Sequence, residues 1–335
     1  MSTSQLIRAY RAVAQLAFRS APVLLLGAGL LLLPACTTVE GSGRKTFNAY
    51  SVSEEQQMGE QAYPEMLKGA QPVTSGPQYD QVMRVANRIT ETAKKQYPNT
   101  AGQFQWQWTV IQDDATVNAW ALPGGKCAVY TGLLKVAGTD DELAVVLGHE
   151  CAHAIARHGG EQMTRQQGLD YGSQIAAQVG AALGDPTGGT ASSYGAQGLL
   201  MVGVALPYSR KQESEADEIG LKLAAAAGYN PEAAIPFWTK MGQSGGDKPY
   251  ELLSTHPSDE TRVENLQRIM PEAMTIYAQS KGSAAASASG AGPASTAAPA
   301  SSAGGAKAAG ASGPSGGAAG APAAPRVSTA PPAAK

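Results

Sequence analysis

Residues 139–158 read TDDELAVVLGHECAHAIARH, and the spacing of the histidines in that stretch decides the reading. Thr139 followed by Asp140, Asp141 and Glu142 marks a helix start, with acid in the first turn where the backbone dipole favours it. The helix is expected to run from about residue 140 to Arg157 or His158 and to end at Gly159-Gly160. His149 and His153 are four apart, so on a helix both imidazoles share one face and reach one metal ion. Glu150 lies one step round, close enough to bond a water beside the metal without ligating it. Two histidines and a glutamate at this spacing predict a zinc peptidase site with Glu150 as general base. The bland alternative is a chance match on an amphipathic helix, which four histidines in 335 residues make a poor bet.

A catalytic zinc site needs a third protein ligand and an open position. His158, five past His153, rotates off the ligand face and is expected to cap the helix end or bond locally. The better source is 209–217, SRKQESEAD, on a second predicted helix. Glu213 and Asp217 share a face there. Glu213 would complete a His₂Glu set, and Asp217 could accept a hydrogen bond from a ligand imidazole and fix its tautomer. Glu215 is the competing ligand, but it points about 200° away from Glu213. Taken alone, this helix also reads as an ordinary solvated charged face.

Working outward, helices are expected at 52–68 and 77–96, the latter from the apolar spacing of Val82, Val85, Ala86, Ile89 and Ala93. Strands are expected at 104–112, 117–122 and 126–131, the last two around the turn Pro123-Gly124-Gly125. The Ala/Gly-rich stretch 161–205 suggests two helices around Asp185-Pro186. Further helices follow from Tyr208 to about Ala226, from Asn230-Pro231, and at 258–268 and 271–279. The class is α+β, mostly helical: a small β-sheet packed on the helix of His149 and on the helix of Glu213.

The ends carry other information. Arg8, Arg11 and Arg19, then the apolar run 21–33, then Leu33-Pro34-Ala35-Cys36, resemble a bacterial lipoprotein signal over 1–35, with Cys36 the lipidated first residue. An ordinary export signal with an incidental cysteine is the alternative. Residues 36–50 are then a tether, 51–281 the catalytic domain and 282–335 a disordered Ala/Gly/Ser/Pro-rich tail with too little apolar surface to fold. The chain holds 25 basic and 27 acidic residues; losing the signal's three Arg leaves 22 against 27, or −5, which argues against a nucleic-acid partner. Cys127 and Cys151 are an even pair for which a disulfide is allowed, but two buried thiols are equally compatible.

HECAH followed by ESEAD resembles the HExxH…ExxxD pattern of peptidase family forty-eight of the metallo class, with its HtpX, Oma-type, BepA and LoiP branches. Residues 118–125 (NAWALPGG) and Thr255-His256-Pro257 with Arg262 are similar as well, so the resemblance covers about 50–270. It implies a gluzincin-like fold, one zinc ion between two helices, Glu213 as third ligand and Asp217 as a supporting or proton-donating aspartate. Together with the lipoprotein-like signal, and with Thr37 rather than Asp after Cys36, the expected protein is a periplasmic endopeptidase anchored by lipid to the outer membrane; the resemblance alone implies misfolded or misassembled envelope proteins as its substrates. The rival is a lipoprotein assembly factor or chaperone that seldom cleaves; an intact Glu150 speaks against it.

Two further roles are expected. Arg262 is a candidate donor to the oxyanion, with a plain salt bridge as its alternative. His256, presented from a loop by Pro257, could take the fourth zinc position as a latch, as in the BepA branch, or donate to the oxyanion. The strand at 117–122 could receive an extended peptide, unless it is wholly internal.

Overall fold

Every residue from Leu143 to Ile155 is buried, so the helix with the two histidines is the centre of the molecule rather than a half-exposed surface element. The computed structural model describes residues 36–182, 207–243, 250–256 and 261–289. The elements in chain order are β1 (Cys36–Thr38), β2 (Lys45–Phe47), α1 (Val52–Met66), β3 (Pro72–Val73), α2 (Pro77–Gln96), β4 (Gln107–Ile111), β5 (Ala119–Leu122) and β6 (Lys126–Tyr130). There follow α3 (Thr131–Leu134), α4 (Asp140–Ile155), α5 (His158–Ala182), α6 (Arg210–Ala226), a 3₁₀ turn (Pro231–Ala233), α7 (Ala234–Gln243), α8 (Glu251–Thr255) and α9 (Thr261–Ser289).

The main sheet has the order β3-β4-β6-β5. β4 and β6 are parallel, and β5 returns antiparallel along β6 with Ala121 opposite Cys127. The turn between β5 and β6 depends on Gly124 and Gly125, both at positive φ (81° and 87°), which other residues rarely adopt. β5 is an edge strand, and α4 packs directly on it. On its other sides α4 is covered by α2 and, most extensively, by α6. Capping boxes start both site helices: Thr139 with Glu142 on α4, and Ser209 with Gln212 on α6.

Three expectations need correction. Residues 36–50 are not a tether: β1 and β2 form an antiparallel hairpin, with Val39 in the core and Arg44 bonded to Glu161 and Glu215. The polar composition hid this because the hairpin is held by ion pairs rather than by an apolar face. The helix of the two histidines ends at Ile155, not at the glycine pair; Gly159-Gly160 lie in the first turn of α5. The two short C-terminal helices are one, α9, which runs through Pro271. Leu266, Ile269 and Ala273 form one buried stripe against its neighbours, and that packing outweighs the hydrogen bond Pro271 removes.

Among the described residues no helix is long and apolar enough to cross a membrane. The expected signal, the loop around Asp185-Pro186, Pro257 and most of the tail lie outside the described residues.

Candidate metal centre

α4 and α6 cross at two glycines. A Cβ on Gly148 would meet the Gly220 carbonyl oxygen at 2.7 Å, so only glycine lets the two backbones come this close. This approach brings Glu213, in the first turn of α6, over the His149–His153 face of α4. His149 Nε2 and His153 Nε2 lie 3.1 Å apart. Glu213 Oε2 is 3.3 Å from the first and Glu213 Oε1 is 3.3 Å from the second. His256 Nδ1 joins them, 3.3 Å from His149 Nε2 and 3.2 Å from Glu213 Oε1. One donor atom from each of these four buried residues lies within 4.8 Å of the other three.

The donor set fits zinc. Two imidazole nitrogens face each other at a distance that admits one proton but not two, and Glu213 Oε2 is buried without a hydrogen bond. A cation among these four satisfies all of them, and His₂Glu with one further position is a zinc coordination set. The electrostatics agree. Burial pushes the Glu213 carboxyl up, but the neighbouring histidines hold it far below the usual carboxylate range. Burial would lower the His149 pKa, yet the Glu213 charge and the Asp217 hydrogen bond raise it to about 9. Burial dominates at His153 and takes it well below its ordinary value. Proton and metal therefore compete for the His149 ring.

Each of the two imidazoles on α4 is held from behind. His149 Nδ1 lies 2.9 Å from Asp217 Oδ1, which leaves Nε2 free to face the centre. Asp217 also accepts from Arg262 Nη2 at 2.6 Å, and the Arg262 guanidinium lies over Trp238, 3.3 Å from its ring centroid. Arg262 thus supports Asp217, and one of its amino groups is already spent there. For His153 the support is His158, whose Nδ1 is 3.0 Å from His153 Nδ1. His158 Nε2 in turn lies 2.9 Å from Glu215 Oε2. Burial pushes Glu215 up, but the bonds from His158 and Ser42 outweigh that and bring it to about 2. Glu215 is not among the four clustered residues, in keeping with its place on the other side of α6.

Sequence reasoning missed this use of His158 because it assumed a continuous helix. Arg157 breaks the helix in the left-handed region, φ 60°. Its guanidinium is fixed by Glu55 at 3.0 and 3.1 Å and by the Tyr50 carbonyl, which over-determines the unfavourable backbone. The turn sends His158 back toward His153. Tyr208 was also missed: its ring stacks on His153, centroids 4.0 Å apart at 28°.

Glu150 is fully buried, and its Oε1 has no hydrogen-bond partner; His256 Nε2 lies 3.5 Å from it. Burial raises its carboxyl pKa, as would suit a general base. A cleft lined by Glu150, His256, Tyr208, Trp120 and Ala121 opens along β5. Cys127 and Cys151 are both free and buried in this structure; each thiol is a small core group, pushed well above its usual pKa by burial.

Residues 78–270 match the Peptidase family M48. The chain is 35% identical over 255 residues to the mitochondrial metalloendopeptidase OMA1 of Schizosaccharomyces pombe, covering 75% of this chain and 71% of that one. It is 33% identical to the Homo sapiens metalloendopeptidase OMA1, covering 64% of this chain and 42% of that one. To the beta-barrel assembly-enhancing protease of Escherichia coli it is 25% identical, covering 72% of this chain and 49% of that one. With the histidine–glutamate cluster in place and the family matched over most of the fold, the chain belongs to Peptidase family M48 and is a zinc metalloendopeptidase.

Proposed function

We propose that His149, His153 and Glu213 hold the zinc, that Glu150 is the general base, and that the substrate is a segment of a misfolded or misassembled envelope protein. The observation that carries this is the buried Glu150 carboxylate, with its unpartnered oxygen, at the junction of the histidine–glutamate cluster and the cleft along β5. Zinc bound there supplies Lewis acidity to a peptide carbonyl and to water. Glu150 takes the proton of the attacking water and passes it to the leaving amine. Asp217 and His158 keep the Nδ1 protons of His149 and His153 on the far side, so both Nε2 lone pairs face inward. β5 pairs only with β6 among the described strands, and an extended substrate added to its other edge would pass Glu150.

The compartment belongs to the same proposal. The charged start, apolar run and Leu33-Pro34-Ala35-Cys36 support export and lipidation at Cys36, on the periplasmic face of the outer membrane. The name of the Escherichia coli relative points to envelope proteins, whereas those of the OMA1 relatives are mitochondrial; this chain's own N-terminus favours the former. Since β1 starts at Cys36, a lipid there would hold the fold directly at the membrane. Of the expected tail 282–335, residues 282–289 belong to α9, and the remaining Ala/Gly/Ser/Pro-rich residues are proposed to be disordered.

The test is cleavage of an unfolded protein such as casein by zinc-loaded wild type and Glu150→Gln. The variant is expected to bind zinc normally and to lose about 10²- to 10⁴-fold in rate. Equal rates would end the assignment of Glu150. A substrate-trapping experiment with Glu150→Gln then separates a peptidase from a holdase, since only a peptidase accumulates clients that wild type removes. Incorporation of a palmitate analogue that persists in Cys36→Ser would refute the anchor.

A further inference from the structure

The β1–β2 hairpin ends its turn at the back of the metal centre. Glu215 Oε2 accepts from His158 Nε2 at 2.9 Å and from Arg44 Nε at 2.8 Å. Glu215 Oε1 accepts from the Ser42 hydroxyl. The other face of the same guanidinium is taken by Glu161, with Arg44 Nη1 to Oε1 at 3.1 Å and Nη2 to Oε2 at 2.9 Å. Arg44 therefore bridges two carboxylates, one from α6 and one from α5, using the fork that only a guanidinium offers. From there the chain of contacts is unbroken: Ser42 and Arg44 to Glu215, Glu215 to His158, His158 to His153.

The proton order along this chain is forced. His153 must present a bare Nε2 to a metal, so its proton sits on Nδ1 and is donated to His158 Nδ1. His158 then carries its own proton on Nε2 and needs an anionic acceptor fixed in place. Glu215 is that acceptor, and it stays put because Ser42 and Arg44 hold its two oxygens. His158 has no exposed surface, and Glu215 is the one carboxylate among its hydrogen-bond partners, so Glu215 fixes which nitrogen of the ring carries the proton.

We propose that Ser42 and Arg44 are positioning residues of the zinc centre: the N-terminal hairpin fixes Glu215 and His158, and through them the His153 ring. This rests on His153 being a zinc ligand. The affinity for zinc then depends on a hairpin that touches neither the metal nor the substrate cleft. It also lies only a few residues beyond Cys36, so what happens at the start of the fold reaches the centre.

The experiment measures zinc dissociation constants by competition with a colorimetric chelator, on the full protein. The variants are Arg44→Ala, Arg44→Lys and the double change Ser42→Ala with Arg44→Ala. Arg84→Ala serves as reference, because its ion pair with Asp140 is similarly short but remote from the centre. Loss of an outer partner of a metal-bound histidine weakens binding about 10- to 100-fold. That is the expected result for the double variant, with kcat lowered and KM unchanged. Arg44→Lys keeps the charge but cannot serve both carboxylates, so it should fall between Arg44→Ala and wild type. Arg84→Ala should match wild type. Melting of the zinc-free and zinc-loaded forms separates positioning from simple support, since a weaker dissociation constant shrinks the stabilisation that zinc confers. Equal loss of melting temperature in both forms, with zinc affinity unchanged, would overturn the proposal. His153→Ala is the control for the premise: if it binds zinc as wild type does, the ligand assignment fails and this inference falls with it. If His153→Ala loses zinc while the hairpin variants keep full affinity, only the inference fails.

Discussion

The backbone of Gly220 lies against that of His149 so closely that a Cβ on Gly220 would meet the His149 nitrogen at 2.7 Å and its Cα at 2.8 Å. Both clashes are with backbone, which cannot swing aside as a side chain could. Gly220→Ala must push α6 away from α4, and the Glu213 carboxylate travels with α6. The expected cost is about 1–3 kcal/mol of stability, the usual range for overpacking, together with weaker zinc binding. Thermal unfolding and metal content of the dialysed variant measure the two. A stable variant with full zinc would mean that the crossing does not set the ligand geometry.

Ligands and their supports should separate by the kind of loss. His149→Ala and Glu213→Ala each remove a donor from the cluster and should abolish stoichiometric zinc in the dialysed protein. Glu215→Ala removes no clustered donor but the acceptor behind His158, and with it a partner of Ser42 and Arg44, so zinc should still bind, more weakly. Elemental analysis decides it. Zinc lost in Glu215→Ala and kept in Glu213→Ala would reverse the roles of the two glutamates.

How far the sequence carried depended on how local each determinant was. His149, Glu150 and His153 were legible because one helical turn fixes their relative positions, and Glu213 with Asp217 for the same reason on α6. That spacing let Asp217 be expected to bond a ligand imidazole; the structure places it 2.9 Å from His149. The partnership of His158 with His153 was not legible, because it depends on Arg157 adopting a left-handed backbone that only Glu55 and Tyr50, a hundred residues earlier, make tenable. The hairpin at 36–47 was invisible for a related reason: its attachment runs through Arg44 to Glu161 and Glu215, contacts with no periodic trace. Pro271 misled in the opposite direction, since a local breaker was overridden by the buried stripe of Leu266, Ile269 and Ala273.

The two core cysteines give a simple chemical test. Burial holds both thiols un-ionised, and neither is bonded to the other. Alkylation of the native protein should label neither of them. In denaturant without reductant, both should be labelled, as mass spectrometry of the peptides would show. Failure to label either until a reductant is added would establish a Cys127–Cys151 bridge.

His256 bears on whether the centre is at work or at rest. Its Nδ1 lies among the donor atoms of His149, His153 and Glu213, so a zinc bound there would have a fourth protein ligand where a catalytic site keeps a position open. The ring also stands 3.5 Å from the Glu150 carboxylate, in the space that an attacking water needs. It is carried at the end of α8, a single short helix whose backbone bonds to the rest of the described residues are Leu252 N–H to the Val117 carbonyl and Tyr208 N–H to the Thr255 carbonyl. A substrate strand laid along β5 would arrive beside the first of these and could displace α8, and His256 with it. His256→Ala should therefore retain zinc through the other three ligands and raise proteolysis, self-cleavage included. The competing role, a donor to the oxyanion, predicts the opposite sign, a fall in kcat on the order of 10²-fold. Zinc affinity and casein cleavage measured together on this one variant separate the two. A rise in activity with zinc retained supports the latch, and a fall supports the donor. No change in either quantity would leave His256 without a role at the centre, despite its place among the ligands.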